Sequence, residues 1–153
     1  MRLRRATESD ADLLLAWSND PLTRAASFHP EQIKRAGHVQ WLAARLASPS
    51  TAFWIGETDD GPIGQVRVEI VANEVGEVSI STAPEARGVG LGRALLAAAI
   101  AEAGDALPIS TLLARVRLDN PVSLALFVGA GFAERGRTTC DGVPCAEFEL
   151  RLG

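Results

Sequence analysis

Chemistry is most concentrated between Ser79 and Leu96, which reads Ser-Ile-Ser-Thr-Ala-Pro-Glu-Ala-Arg-Gly-Val-Gly-Leu-Gly-Arg-Ala-Leu-Leu. A β-type segment meets a Pro-marked turn, and a glycine-rich loop then opens into an Ala/Leu helix. That order gathers backbone N–H groups at a helix N-terminus, where unpaired donors and the helix dipole favour an anion. Gly88, Gly90 and Gly92 let the chain curl tightly and let a phosphate approach the backbone. A nucleoside-triphosphate loop is excluded, because Gly92 is followed by Arg93-Ala94 and not by Lys and a hydroxyl residue. A dinucleotide fingerprint is excluded too, since the third glycine of Gly88-Val89-Gly90-Leu91-Gly92 comes one residue early. The remaining pattern is R-x-x-G-x-G, running from Arg87 to Gly92 on the strand–turn–helix context that a bound phosphate needs.

A second segment, Leu118-Asp119-Asn120-Pro121-Val122-Ser123-Leu124-Ala125-Leu126-Phe127-Val128-Gly129-Ala130-Gly131-Phe132, starts a helix with an Asn cap and ends it with glycine. The loop resembles the pyrophosphate-binding loop of the GNAT superfamily of acetyl-CoA-dependent N-acetyltransferases. The second segment resembles that superfamily's later motif, N-x-x-[SA]-x-x-[LF]-[YF]-x-x-x-G-F. The resemblance implies acetyl-CoA as cofactor, with its pyrophosphate on the N–H groups of residues 87–93. It also implies an Asn120 amide on the pantetheine arm, the alternative being a pure helix cap. Arg87 and Arg93 either add charge at the phosphates or are solvated surface residues. Many relatives carry Tyr where Phe127 stands, to protonate the departing thiolate; this chain has no Tyr. Ser123, one turn earlier, is the candidate substitute, and a thiol of pKa about 8.5 is in any case a tolerable leaving group.

Amine acetylation requires a neutral amine aimed at the thioester, donors for the carbonyl oxygen and a route for the proton. The donors are expected where two parallel strands splay apart, here between residues 77–82 and 111–116, with the backbone of Ser81, Thr82 and Ala83 on the pantetheine arm. Glu77 is the first choice of general base among Glu69, Glu74 and Glu77; it shares a strand face with Ser79 and Ser81, though a solvated strand start explains it equally well. Trp17-Ser18-Asn19-Asp20-Pro21-Leu22-Thr23-Arg24, followed by His38 and Trp41, is similar to a subgroup that includes acetyltransferases of nucleotide-linked amino sugars and of ribosomal-protein amino termini. The resemblance places Trp17, Asn19, Asp20, Arg24, His38 and Trp41 around the acceptor. Their alternatives are an Asp20–Arg24 i,i+4 pair, an Asn19 cap and a packed His38–Trp41 pair. The expected activity is therefore acetyl transfer to a primary amine, on a nucleotide-linked amino sugar or a peptide amino terminus. A non-catalytic acyl-CoA-binding module is the other class.

The rest of the chain must position these groups. With 153 residues, 47% hydrophobic and 22% charged, it suits one domain, 1–153, with a real core. A net charge of −4 without a basic run argues against nucleic acid. No apolar stretch is long enough for a signal peptide or a membrane span, which predicts a cytoplasmic protein. Cys140 and Cys145 flank a turn and are expected as reduced thiols, and no His/Cys cluster suggests a metal. Patterning predicts strands at 2–6, 51–57, 63–71, 74–82, 111–116, 132–137 and 146–152. Helices are expected over about 10–19, from 30 to 47, 90–103 and 120–130. The order β-α-α-β-β-β-α-β-α-β-β predicts a mixed sheet with helices on both faces. It is similar to the GNAT fold, which implies an α/β chain with a mostly antiparallel sheet of about seven strands. The edge of the terminal hairpin can pair with a second copy as a homodimer.

Overall fold

A computed structural model describes residues 1–153. Strand β1 (Arg2–Arg5) leads through a short 3-10 turn into α1 (Ala11–Ser18), then α2 (Pro21–Ala26) and α3 (Arg35–Ala47). Three strands follow, β2 (Thr51–Thr58), β3 (Gly61–Ala72) and β4 (Val75–Thr82), and then α4 (Leu91–Ala106). The chain closes with β5 (Thr111–Arg117), α5 (Pro121–Gly129), β6 (Ala133–Cys140) and β7 (Val143–Arg151). All seven strands form one sheet in the order β1-β2-β3-β4-β5-β7-β6, antiparallel throughout except for β4 against β5.

The helical region differs from the sequence expectation in two places. Asp20-Pro21 starts a helix: Asp20 accepts from the Thr23 N–H at 3.2 Å and Pro21 takes the first position, where its missing donor costs nothing. Read only as a stop, that proline hides α2. Helix α3 then begins at Arg35 and not near Pro30. Asn19 explains the delay, because it donates to the Ile33 carbonyl at 2.8 Å and accepts the Ile33 N–H at 2.7 Å. Both backbone groups are thereby withdrawn from any helical ladder.

Packing follows strand alternation. On one face Val66, Val68 and Leu112 meet Leu95, Leu96, Ala99 and Ala103 of α4, all buried. Phe127 of α5 packs edge-on to Phe132 and stacks with Phe148 of β7. Helices α1 and α3 cover the opposite face near β2, where Trp41 meets Phe53. Arg4 of β1 clamps Asp10 through two 2.8 Å hydrogen bonds, which hold the Asp10 carboxyl below the usual carboxylate range and fix the start of α1.

The terminal hairpin turns at Asp141-Gly142, both with positive φ, the two-residue signal for a tight primed turn. Cys140 and Cys145 were expected as reduced thiols; the structure pairs them as a disulfide across this hairpin, with Cα atoms 6.4 Å apart. The turn is tighter than the four residues Asp141–Pro144 that the sequence suggests. Cys140 therefore faces Val143 and Cys145 faces Thr138, so the two cysteines sit two rungs apart on one face of the hairpin. No helix is long and apolar enough to cross a membrane.

Candidate active site

Pairing between β4 and β5 is brief. It covers Val75↔Thr111, Gly76↔Leu112 and Glu77↔Leu113 and then stops, while β4 runs on to Thr82 and β5 to Arg117. Past Glu77 the two strands diverge, and β4 keeps its ladder only with β3. A cleft of about 1100 Å³ opens there. It runs from the loop before α4, across Ser79, Ile80, Ser81 and Thr82, past α5, to a wall made by α2 and α3.

At one end lies the glycine loop. Gly88 and Gly90 both have φ of +80°, and a Cβ on either would meet nothing within 4 Å. Positive φ is what turns the backbone so that successive N–H groups face outward ahead of α4. None of the N–H groups of residues 88–90 donates within the protein, and the first turn of the 16-residue α4 adds further free donors. This cradle fits a pyrophosphate. Val89 is exposed at the loop tip and does not line the cleft, whereas Gly88, Gly90, Leu91, Gly92 and Arg93 do.

Several side chains have other partners than the sequence suggests. Arg87 donates to Asp20 at 2.6 Å and to the Thr23 hydroxyl at 3.0 Å, tying the loop to the start of α2. This contact holds the Asp20 carboxyl below its usual range. The i,i+4 pair with Arg24 does not form; Arg24 instead donates to the carbonyls of Ser18 and His29. Ala83 is fully buried and its N–H is held by the Ile63 carbonyl at 2.7 Å, so only Ser81 and Thr82 of that trio face the cleft. Trp17 lies in the core, and Asn19 and Asp20 stand outside the cleft, whereas Arg24, His38 and Trp41 line it. Glu77 does not line it, and both its oxygens accept from Arg115 at 2.8–3.0 Å.

At the start of α5, Asn120 accepts the Ser123 N–H at 3.2 Å, and its Nδ2 donates to the Ser123 hydroxyl at 3.1 Å. Asn120, Ser123 and Phe127 all line the cleft. Sequence reasoning missed Gln65, Arg67, Arg115 and Arg117. The alternation Gln65-x-Arg67-x-Glu69 on β3 was the available signal, a polar face on an inner strand. Gln65 donates to the Ser81 hydroxyl at 3.0 Å and leaves its Oε1 buried without a partner.

No Asp or Glu lines the cleft, although Arg24, Arg67, Arg87, Arg93, Arg115 and Arg117 all do. His38 is its one non-arginine titratable group. It is 4% exposed and stacked on Trp41, its Nε2 has no partner, and burial lowers its pKa below the ordinary 6.5, opposed by contact with the Ala11 backbone. The neutral ring is thus the folded form near neutrality. Below pH 6.5 the unfolded chain takes up a proton that the folded chain resists, so stability is level above that pH and falls below it. Urea unfolding at stepped pH should show this fall, and His38→Asn should flatten it; parallel curves for the two proteins would exclude His38 as the cause.

A family model described as an acetyltransferase (GNAT) domain matches residues 1–133. The chain belongs to the GNAT acetyltransferases. It is an acetyl-CoA-dependent N-acetyltransferase. Among solved structures, the GNAT chain is similar to the spermidine N-acetyltransferase of Vibrio cholerae, crystallised with CoA and spermine (TM-score 0.88, 18% identity, 99% of this chain and 95% of that one). It is also similar to the ribosomal-protein-alanine N-acetyltransferase of Brucella melitensis (TM-score 0.86, 27% identity, 99% and 100%). A third, yncA of Salmonella typhimurium with its cofactor acetyl-CoA, gives a TM-score of 0.84 at 21% identity over 100% and 94%. A comparison with the curated proteins finds no match.

Proposed function

We propose that this GNAT chain transfers acetyl to a primary amine by direct attack in a ternary complex, the amine entering from the α2–α3 end. The observation that carries this reading is the continuity of one cleft from the glycine loop through the β4–β5 divergence to Arg24, His38 and Trp41. Acetyl-CoA, when bound, supplies an activated thioester. The N–H groups of residues 88–93 hold the pyrophosphate, Arg93 adds charge at the mouth, and the backbone at Ser81 and Thr82 takes the pantetheine arm. No serine in the cleft is hydrogen-bonded to an imidazole or a carboxylate, as a covalent stage would need, and Ser27 meets only the backbone N–H of His29.

Proton transfer falls to two residues. Ser123 accepts from Asn120, so its own O–H is free to donate toward the departing sulfur. With Glu77 held by Arg115 outside the cleft, His38 Nε2 is the remaining acceptor for the amine proton, directly or through one water. For the acceptor, a nucleotide-linked amino sugar suits the arginines and the Trp41 ring. A peptide amino terminus is the second reading, favoured by the 27% identity to the Brucella enzyme.

Free-thiol release, with both substrates varied, tests the reading. Intersecting initial-rate patterns are expected, with His38→Gln lowering kcat about 100-fold, the low end of general acid–base contributions. Ser123→Ala should lower it only about 10-fold, because a thiolate is a tolerable leaving group. Glu77→Gln should stay within about 3-fold. Parallel patterns, or a larger loss from Glu77→Gln than from His38→Gln, would refute it.

A further inference from the structure

The cleft floor holds a guanidinium with unused donors. Arg67 sits mid-strand on β3, opposite Phe53 on β2 and Ser79 on β4. It lines the cleft beside the divergence, with its side chain 21% exposed. Its Nε donates to Glu69 at 2.6 Å, but neither Nη has a hydrogen-bond partner. The guanidinium lies 4.8 Å from the Trp41 ring centre and 5.7 Å from that of Phe53, so the aromatic rings fix its plane. Glu69 is shared with Arg45, at 3.4 Å, so it does not neutralise both cations. The other carboxylate acting on Arg67, Glu77, is similarly committed, to Arg115. A half-buried cation with a free pair of donors, in a cleft lined by no carboxylate, lacks a counter-ion of its own, because Glu69 is shared.

We propose that the acceptor supplies it: the amine substrate carries a carboxylate or phosphorus oxyanion that docks on the two Nη groups of Arg67. Paired parallel N–H donors match the two oxygens of such a group, and a partly desolvated site strengthens the bond. The same field rejects polyamines, since a second ammonium would enter among arginines with no carboxylate to meet it. The substrate charge is then opposite to that of spermidine, on which the Vibrio cholerae neighbour acts. This inference rests on the proposed transfer to an amine.

The test is a set of amine probes, each anionic member matched to a neutral analogue: alanine with alaninamide, aminoethylphosphonate with ethanolamine, and a UDP-linked amino sugar with the free sugar. A peptide with acidic second and third residues is compared with its neutral counterpart, and spermidine is added. At least one anionic probe should exceed its analogue about 10- to 100-fold in kcat/KM, the range for a charge-assisted pair. Which pair responds identifies carboxylate, phosphonate, nucleotide or peptide as the source. Arg67→Met should erase that preference through KM while the Kd for acetyl-CoA holds. Arg67→Lys, which keeps the charge and loses the paired geometry, should retain part of it and covers a Met variant that fails to fold. Preference for a neutral probe or spermidine overturns the proposal, as does a preference that survives Arg67→Met. Acetyl-CoA bound with no anionic probe turned over also overturns it, leaving the cofactor site standing. Failure to bind acetyl-CoA would strike the proposed function itself.

Discussion

Gly90→Glu is expected to weaken acetyl-CoA binding by about 100-fold or more with little loss of fold stability. Gly90 caps α4 in the left-handed conformation, with φ +80° and open space where a side chain would project. The backbone penalty for a non-glycine residue there is about 1–2 kcal/mol. A carboxylate at a helix N-terminus returns part of that, about 0.3–1 kcal/mol, because it meets the positive end of the dipole. The new anion satisfies the donors that would otherwise hold the pyrophosphate, and it repels the ligand by several kcal/mol of like-charge juxtaposition. Calorimetric titration with acetyl-CoA, alongside a melting curve, checks the result. Near wild-type affinity would mean that the loop is only a turn.

The second large effect is structural. Gly64→Ala should destabilise the protein by about 1–3 kcal/mol, as overpacking does. A Cβ at Gly64 would stand 2.6 Å from the Ser81 carbonyl oxygen, 3.1 Å from Thr82 Cα and 3.0 Å from a Leu95 methyl. Two of those three neighbours are backbone, which cannot turn away as a flexible side chain does. The strain therefore falls on the end of β4 that forms the cleft floor. Melting should drop by about 4–10 °C, and acetyl-CoA affinity should fall with it. Unchanged melting would show that the sheet relaxes without cost at this crossing.

These two glycines mark what a reader of the sequence could and could not see. Gly90 announces itself, since a triplet of alternating glycines before an Ala/Leu helix has few other uses. The divergence was legible too: the parallel pair 74–82 and 111–116 implied it, and pairing ends at Glu77↔Leu113. Gly64 gives no local sign, because its reason lies in a strand 18 residues on. Glu77 shows the same limit. Its type and strand position suited a base, but Arg115 takes both its oxygens across a contact that no periodicity encodes. Arg67 was readable only as one polar residue in an alternating strand. The Trp41 and Phe53 rings that give it a fixed plane come from α3 and β2. Helix α2 was hidden by the double meaning of Asp20-Pro21, which ends one helix and caps the next.

The bridge from Arg87 to Asp20 and Thr23 bears on how this scaffold can change. The glycine loop proposed to hold the cofactor and the helix that walls the proposed acceptor end share one guanidinium, at 2.6 Å and 3.0 Å. On the proposed reading, donor and acceptor recognition are thus not separable modules. A segment grafted over residues 20–24 to alter the acceptor also removes the anchor of the glycine loop, unless an oxygen is kept where Asp20 supplies one. New acceptors are more readily reached by varying Ser27, Phe28 and Ile33, which line the same wall and carry none of the loop's support.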